Sequence, residues 1–342
     1  MTTKKTMLEV NNLKTYYQTR LGEKIRAVHS VSFKLYEGEI FGIAGESGCG
    51  KSTLAMSLSG LFLPPLKYES GSVFLEGDNI FKKDINYLRK EVLGKKYSYI
   101  PQSAMNALNP TIKIKDFVID LMKEHEPDMK EKEIIELTKN RFESLSLPSR
   151  VLNLYPLELS GGMKQRVVVA ISTLMNPVVV AADEPTSALD VSTQKSVIQL
   201  IKELFDDGIV KSIIFITHEL PVLRHICDRI AVMYAGEFVE VGKMEDVIFN
   251  PIHPYSQALM QSILVPEKGM KDKKLPSLPG SPPDLRKIPV GCRFADRCPL
   301  AIEECKKENV EMVSLDDRSV RCIRINHILT QGKKVTPYGT KY

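Results

Sequence analysis

Between Gly45 and Thr53 the chain reads Gly-Glu-Ser-Gly-Cys-Gly-Lys-Ser-Thr, which fits G-x-x-x-x-G-K-S/T without a departure. Glycines at these spacings let the backbone curl until its N–H groups point inward, and such a concavity takes phosphate oxygens. Ser47, Gly48, Cys49 and Gly50 supply that backbone, and Lys51 adds a full positive charge for the outer phosphates of a nucleotide. Ser52 and Thr53 follow with hydroxyls, and Ser52 is placed to ligate Mg2+. Lys51 and the following helix should also lower the pKa of the Cys49 thiol and make it reactive. A second group stands at Asp183-Glu184, after the apolar run Val178–Ala182. Carboxylates at the end of a buried strand need a cation or solvent. Beside a nucleotide, Asp183 would take the Mg2+ and Glu184, facing the other way, would accept a proton from an attacking water. By itself the pair reads equally well as a strand-to-loop turn with two solvated acids.

These residues need rigid elements to hold them. Ile40–Ala44 is an apolar strand leading into the glycine-rich turn, and residues 51–61 read as the helix that leaves it. Val178–Ala182 and Ile213–Thr217 are short unbroken apolar runs, the pattern of parallel strands buried on both faces. Ser192–Phe205 between them has helical spacing, so strand and helix alternate in an α/β core. Residues 7–43 alternate apolar and polar positions, with Gly22 and Gly38 as breaks, and predict β structure. Residues 115–146 interleave Glu and Lys on amphipathic spacing and predict exposed helices. Beyond about residue 250 the texture changes: Pro251, Pro254, Pro266, Pro276, Pro279, Pro282, Pro283 and Pro289 interrupt the chain. Residues 1–250 therefore form the nucleotide-binding unit, and 251–342 a small, loop-rich extension.

The chain of 342 residues is 43% apolar and carries 47 basic against 42 acidic residues, a net charge of +5. A core is affordable, and the basic excess is too weak to indicate nucleic acid. The most apolar stretch, Val167–Ala182, is shorter than the roughly 20 residues of a spanning helix and is cut by Asn176-Pro177. No signal peptide opens the sequence. A protein that does not itself span the membrane, with its thiols in a reducing compartment, is expected.

Leu159-Ser-Gly-Gly-Met-Lys-Gln165 lies between the glycine-rich loop and Asp183-Glu184, ahead of an apolar helix. In that place it resembles the signature of ABC ATPases. Gln102 after Ile100-Pro101 resembles the Q-loop, Ser187–Asp190 the D-loop and His218 the switch histidine, while Tyr17 stands where the family stacks an aromatic ring on adenine. Tyr16 is its rival. The resemblance implies a P-loop ABC cassette: a RecA-like α/β core, an antiparallel β subdomain and a helical subdomain at about 105–165. It implies ATP held by Tyr17 and Ser47–Thr53, Mg2+ held by Ser52, Gln102 and Asp183, and catalysis by Glu184 with His218. Ser160, Gly161, Gly162, Gln165 and Asp190 would reach the ATP of a second subunit. Monomeric hydrolysis should be poor, because one cassette holds half of each site. Gln102 would relay the γ-phosphate to membrane subunits through the helical segment.

His253-Pro-Tyr-Ser-Gln-Ala-Leu259, Leu278–Asp284 and Gly291–Pro299 resemble the oligopeptide and dipeptide importer ATPases. That resemblance implies a sister ATP-binding subunit, two transmembrane permeases and an extracytoplasmic solute-binding protein, with the chain on the cytoplasmic face of the membrane. Import of oligosaccharides or nickel is the alternative cargo. A soluble ABC ATPase of translation would carry two cassettes, one of DNA repair would carry long coiled coils, and a P-loop kinase would lack residues 159–165. Four of the six cysteines, Cys292, Cys298, Cys305 and Cys322, cluster at gaps of five, six and sixteen residues. The spacing suits neither the short pairs of zinc sites nor ferredoxin runs, and leaves metal, disulfides and free thiols open. The related importer ATPases imply a four-iron, four-sulfur (4Fe-4S) cluster on these four cysteines.

Overall fold

A computed structural model describes residues 4–102, 107–187, 189–261, 278 and 280–330. Pro266, Pro276, Pro279, Ala188 and the first residues of the expected helical subdomain lie outside the described residues. The chain opens with two long strands, β1 (Thr6–Gln18) and β2 (Lys24–Tyr36), then β3 (Glu39–Ala44), β4 (Leu66–Leu75), β5 (Asp78–Asn79) and β6 (Tyr97–Ile100). β7 (Val179–Asp183), β8 (Ser212–Ile216), β9 (Arg229–Tyr234), β10 (Glu237–Lys243), β11 (Val313–Leu315) and β12 (Arg318–Val320) complete the set. An antiparallel sheet has the order β2-β1-β4-β5, and the main sheet has the order β11-β12-β10-β9-β3-β8-β7-β6. Strands β9, β3, β8, β7 and β6 run parallel, and β10, β12 and β11 continue the sheet antiparallel.

The unbroken apolar runs are explained by burial on two faces. Alternate side chains of a strand point to opposite sides. Ile40 and Ala44 of β3, Val180 and Ala182 of β7 and Ile213 and Phe215 of β8 enter one core, with the helices Gly161–Ser172 and Val191–Asp206. Phe41, Ile43, Val179, Ala181, Ile214 and Ile216 enter the other, shared with Met7, Val10 and Leu13 of β1 and Leu54 of the helix Lys51–Ser57. Each fully buried side chain of this size contributes about 1.5–3 kcal/mol. The predicted charged helices are Ile114–His125 and Glu131–Ser144, which send Ile114, Val118, Met122, Ile134 and Phe142 into the first core.

The extension, expected as a small loop-rich segment, contributes strands and core residues of its own. Its hairpin β11–β12 adds to the main sheet, pairing Glu240↔Val320 and Val241↔Ser319. Tyr255 and Phe294 lie in the first core, where Tyr234, Tyr255 and Phe294 pack with ring centroids 4.5–5.3 Å apart. Glu240 of β10, wholly buried, accepts from the N–H groups of Ile252 and His253 and from Arg318. Prolines break regular elements, but they do not prevent packing. Arg318→Met leaves Glu240 without its countercharge in the interior. It should destabilise the protein by about 3–5 kcal/mol, read as a lower thermal midpoint. A midpoint equal to that of the native protein would rule out the pair as a tie between extension and core.

Candidate nucleotide site

The phosphate loop is shaped by close backbone packing. Gly45 has φ +155° and a Cβ there would lie 2.1 Å from the Met233 carbonyl oxygen; Gly50 has φ +109° and a Cβ would meet that of Ala27 at 2.0 Å. Only glycine fits at either place. Lys51 opens the helix Lys51–Ser57, and its Nζ donates to the carbonyls of Gly45 at 2.8 Å and Glu46 at 3.0 Å. The ammonium thus spans the mouth of the loop. Tyr17 lies over the same helix, its hydroxyl 3.2 Å from Thr53 Oγ1. Thr15, two residues earlier on β1, meets Ser57 at 3.1 Å. The two-residue period of the strand turns Tyr16 to the other face, where Lys24 Nζ sits 4.4 Å from its ring centroid. The loop-facing tyrosine is therefore Tyr17.

Cys49 departs from expectation. It is buried among the second core residues, and burial raises its thiol pKa, with Lys51 acting in the lowering direction at 3.8 Å. Lys51 and the helix are outweighed because a thiolate there has no water. Cys49 contributes backbone to the loop, and its side chain points into the protein. Iodoacetamide should leave it unmodified in the native protein, with or without Mg-ATP. Mass-spectrometric labelling that nucleotide suppresses would contradict this placement.

Gln102, Glu184 and His218 follow the adjacent parallel strands β6, β7 and β8 and meet at their carboxyl ends, where α/β sheets bind ligands. Gln102 Nε2 donates to Glu184 Oε2 at 2.7 Å, and His218 Nδ1 lies 2.9 Å from Glu184 Oε1. Ser187 Oγ donates to the Gln102 carbonyl at 2.8 Å, tying the D-loop segment to the Q-loop. Glu184 has φ +44°, a left-handed conformation that costs a non-glycine residue about 1–3 kcal/mol. Its N–H still donates to the Ile216 carbonyl at 2.8 Å, so the turn swings the carboxylate away from Asp183 without leaving the sheet.

Asp183 is wholly buried, and burial raises its pKa, offset in part by the nearby Ser52 and Tyr99 hydroxyls. Tyr99, which the sequence did not single out, donates to Asp183 Oδ2 at 2.9 Å. The other oxygen, Oδ1, is buried without a hydrogen-bond partner. An orphaned carboxylate oxygen beside Ser52 fits Mg2+. Gln102, expected at the same ion, engages Glu184 instead.

Ser160 caps the helix Gly161–Ser172, its hydroxyl accepting from Met163 N–H, and Asp190 caps Val191–Asp206 by accepting from Ser192 and Thr193 N–H. Ser160, Gly161, Gly162, Asp190 and Thr193 line one cleft, and no phosphate-loop residue lines it. A Cβ on Gly162 would reach to 2.8 Å of the Thr193 methyl. Gln165 does not join this cleft. It is 3% exposed, and its neighbour Arg166 lines the cleft.

The four clustered cysteines converge: Cys292, Cys298, Cys305 and Cys322 line one small cavity with Phe294, Leu300 and Val310. Burial pushes the Cys292 thiol up to about 11 and Cys298 up to about 12, and neighbouring cysteines add to both. All four are unpaired by disulfides. Among the described residues no group of three or more His, Cys, Asp or Glu is arranged to hold a metal ion.

A family model described as ABC transporter matches residues 28–187, and one described as oligopeptide/dipeptide transporter, C-terminal region, matches residues 239–305. The chain is 38% identical to the dipeptide transport ATP-binding protein DppD of Caldanaerobacter subterraneus subsp. tengcongensis, over 96% of this chain and 98% of that one. It is 35% identical to the oligopeptide transport ATP-binding protein OppF of Escherichia coli, over 94% and 97%. Among solved structures, a dimeric bacterial ABC transporter cassette overlays with a TM-score of 0.61 at 30% identity, over 70% of this chain and 99% of that chain. Fold and site together define an ABC cassette, an ATPase coupled to transport. The chain belongs to the family of oligopeptide and dipeptide transport ATP-binding proteins.

Proposed function

We propose that this chain hydrolyses ATP to power import of oligopeptides or dipeptides. The reading is carried by the Gln102–Glu184–His218 set at the ends of three adjacent strands, beside a phosphate loop that already holds its lysine in place. Residues 1–250 form the nucleotide-binding unit, and the described residues of the extension 251–342 pack against it. ATP lies on Ser47–Thr53 with Tyr17 at the adenine. Ser52 and Asp183 hold Mg2+, which neutralises phosphate charge when bound. Glu184 takes the proton of the attacking water, and His218, on its other oxygen, keeps the carboxylate oriented. Gln102, released from Glu184, senses the γ-phosphate. Ser160, Gly161, Gly162 and Asp190 lie in a separate cleft, so one protomer presents two half-sites; a sister ATP-binding subunit completes them.

The partners are two permeases and an extracytoplasmic solute-binding protein, with the chain on the cytoplasmic face. No helix among the described residues is long and apolar enough to cross a membrane. An apolar groove lined by Pro101, Leu108, Phe117, Leu121 and Met175 runs from the Q-loop to the helices Ile114–His125 and Gly161–Ser172, and offers the permeases a route to Gln102. Cys292, Cys298, Cys305 and Cys322 hold a 4Fe-4S cluster that staples the extension. What supports a shared centre is that all four cysteines line one cavity.

The test is uptake. Vesicles with the permeases, both ATP-binding subunits facing the lumen and the solute-binding protein outside should accumulate labelled dipeptide or tripeptide only with ATP in the lumen. Accumulation of an oligosaccharide or nickel in place of peptide would overturn the cargo, and ATP-independent peptide accumulation would overturn the motor.

A further inference from the structure

The phosphate loop contains one acidic residue, Glu46. A carboxylate beside a bound triphosphate repels it. Here it is met from the far end of the chain. Arg297 donates through Nη1 to Glu46 Oε2 and through Nη2 to Oε1, both at 2.9 Å, and Nη1 also reaches the Tyr234 hydroxyl at 3.1 Å. The Arg297 side chain is 6% exposed and that of Glu46 24%. The Glu46 N–H donates to the Tyr255 hydroxyl at 2.9 Å, and the Glu46 carbonyl accepts from Lys51. Glu46 and Ser47 share the walls of an open cleft with Leu278, Gly280, Pro282 and Arg297. Two residues of the extension therefore grip one residue of the loop, one by charge and one through its backbone.

We propose that Arg297 is a positioning residue for nucleotide binding: it anchors Glu46 away from the phosphates and cancels its charge. The phosphate loop then meets the triphosphate with Lys51 as its net charge. Bidentate guanidinium–carboxylate geometry suits this task, because it fixes direction as well as charge. Arg297 adjoins Cys298, so the ion pair to Glu46 starts one residue from the cysteine cavity. The proposal rests on the reading of Gly45–Thr53 as the nucleotide site.

The experiment titrates the full-length chain with trinitrophenyl-ATP, with thermal unfolding recorded for every variant. Arg297→Met should weaken binding about tenfold, because it frees a carboxylate next to the phosphates. Arg297→Lys, which keeps the charge, should stay within about threefold of native. Glu46→Gln should bind at least as tightly as native, and Glu46→Gln with Arg297→Met should return to within about threefold of it. A strut without an electrostatic role predicts the reverse for the last two: both would weaken binding as much as Arg297→Met. That result overturns the proposal, as does native affinity in Arg297→Met. If Arg297→Met does not fold, Glu46→Gln alone decides between the two. A native chain that binds no trinitrophenyl-ATP refutes the nucleotide reading itself and the proposal with it, an outcome distinct from the variant patterns.

Discussion

Glu184→Gln should bind ATP with native affinity and turn it over about 10²–10⁴-fold more slowly, a rise of about 3–5 kcal/mol in the barrier. The glutamine is isosteric and still accepts a hydrogen bond through one oxygen, so the turn is kept while the base is lost. In the native protein both carboxylate oxygens are engaged, one with Gln102 and one with His218. A rotated amide satisfies only one acceptor role, and the local order of Gln102 should loosen. The measurement is phosphate release by the assembled transporter, with the sister subunit's site inactivated in parallel so that each site is read alone. Turnover near the native rate from this site would remove Glu184 from the role of base and leave it a connector between two loops.

Protein purified without oxygen should be brown, absorb broadly near 400 nm and contain about four irons and four sulfides per chain. Serine at any one of Cys292, Cys298, Cys305 or Cys322 should abolish the colour. Serine at Cys49 or Cys227 should keep it, because both are buried elsewhere. The loss should also lower stability, since the four thiols line one cavity together with Phe294 and Val310 and a centre there would tie its walls. Thiols raised by burial and by one another are poor ligands until a metal replaces their protons, so loading should release protons and weaken at low pH. Colourless anaerobic protein with one zinc per chain would overturn the cluster. Metal-free protein of native stability would show that hydrogen bonds and packing hold the extension by themselves.

What could be read from the sequence is what local chemistry settles. A glycine-rich turn between an apolar strand and a helix has few other uses, and Gly45–Thr53 is such a turn in the structure, held by contacts that exclude any Cβ at Gly45 and Gly50. The apolar runs at β3, β7 and β8 were legible because a parallel strand buried on both faces carries no polar alternation. Asp183 and Glu184 were nameable from their place at the end of a strand, whereas Gln102 and His218 were named by the order of the motifs that resemble those of ABC ATPases. The sheet order then brought Gln102 and His218 to either side of Glu184.

Tertiary structure decided the rest. Tyr16 and Tyr17 are adjacent and chemically alike, and only the pairing of β1 with its neighbours turned Tyr17 toward Thr53. Cys49 was expected to be reactive from its neighbours in sequence, but desolvation by residues distant in the chain prevailed. Gln165 was placed on the signature surface by its position beside the glycines, yet its helix faces the core at that turn. The extension looked separate because prolines speak only for the segment that contains them, whereas β12 pairs with β10 and Arg297 reaches Glu46 across 251 positions of sequence. A salt bridge of that span leaves no local period or motif, since either partner alone is an ordinary charged residue; the pair exists only once the fold has brought the two segments together.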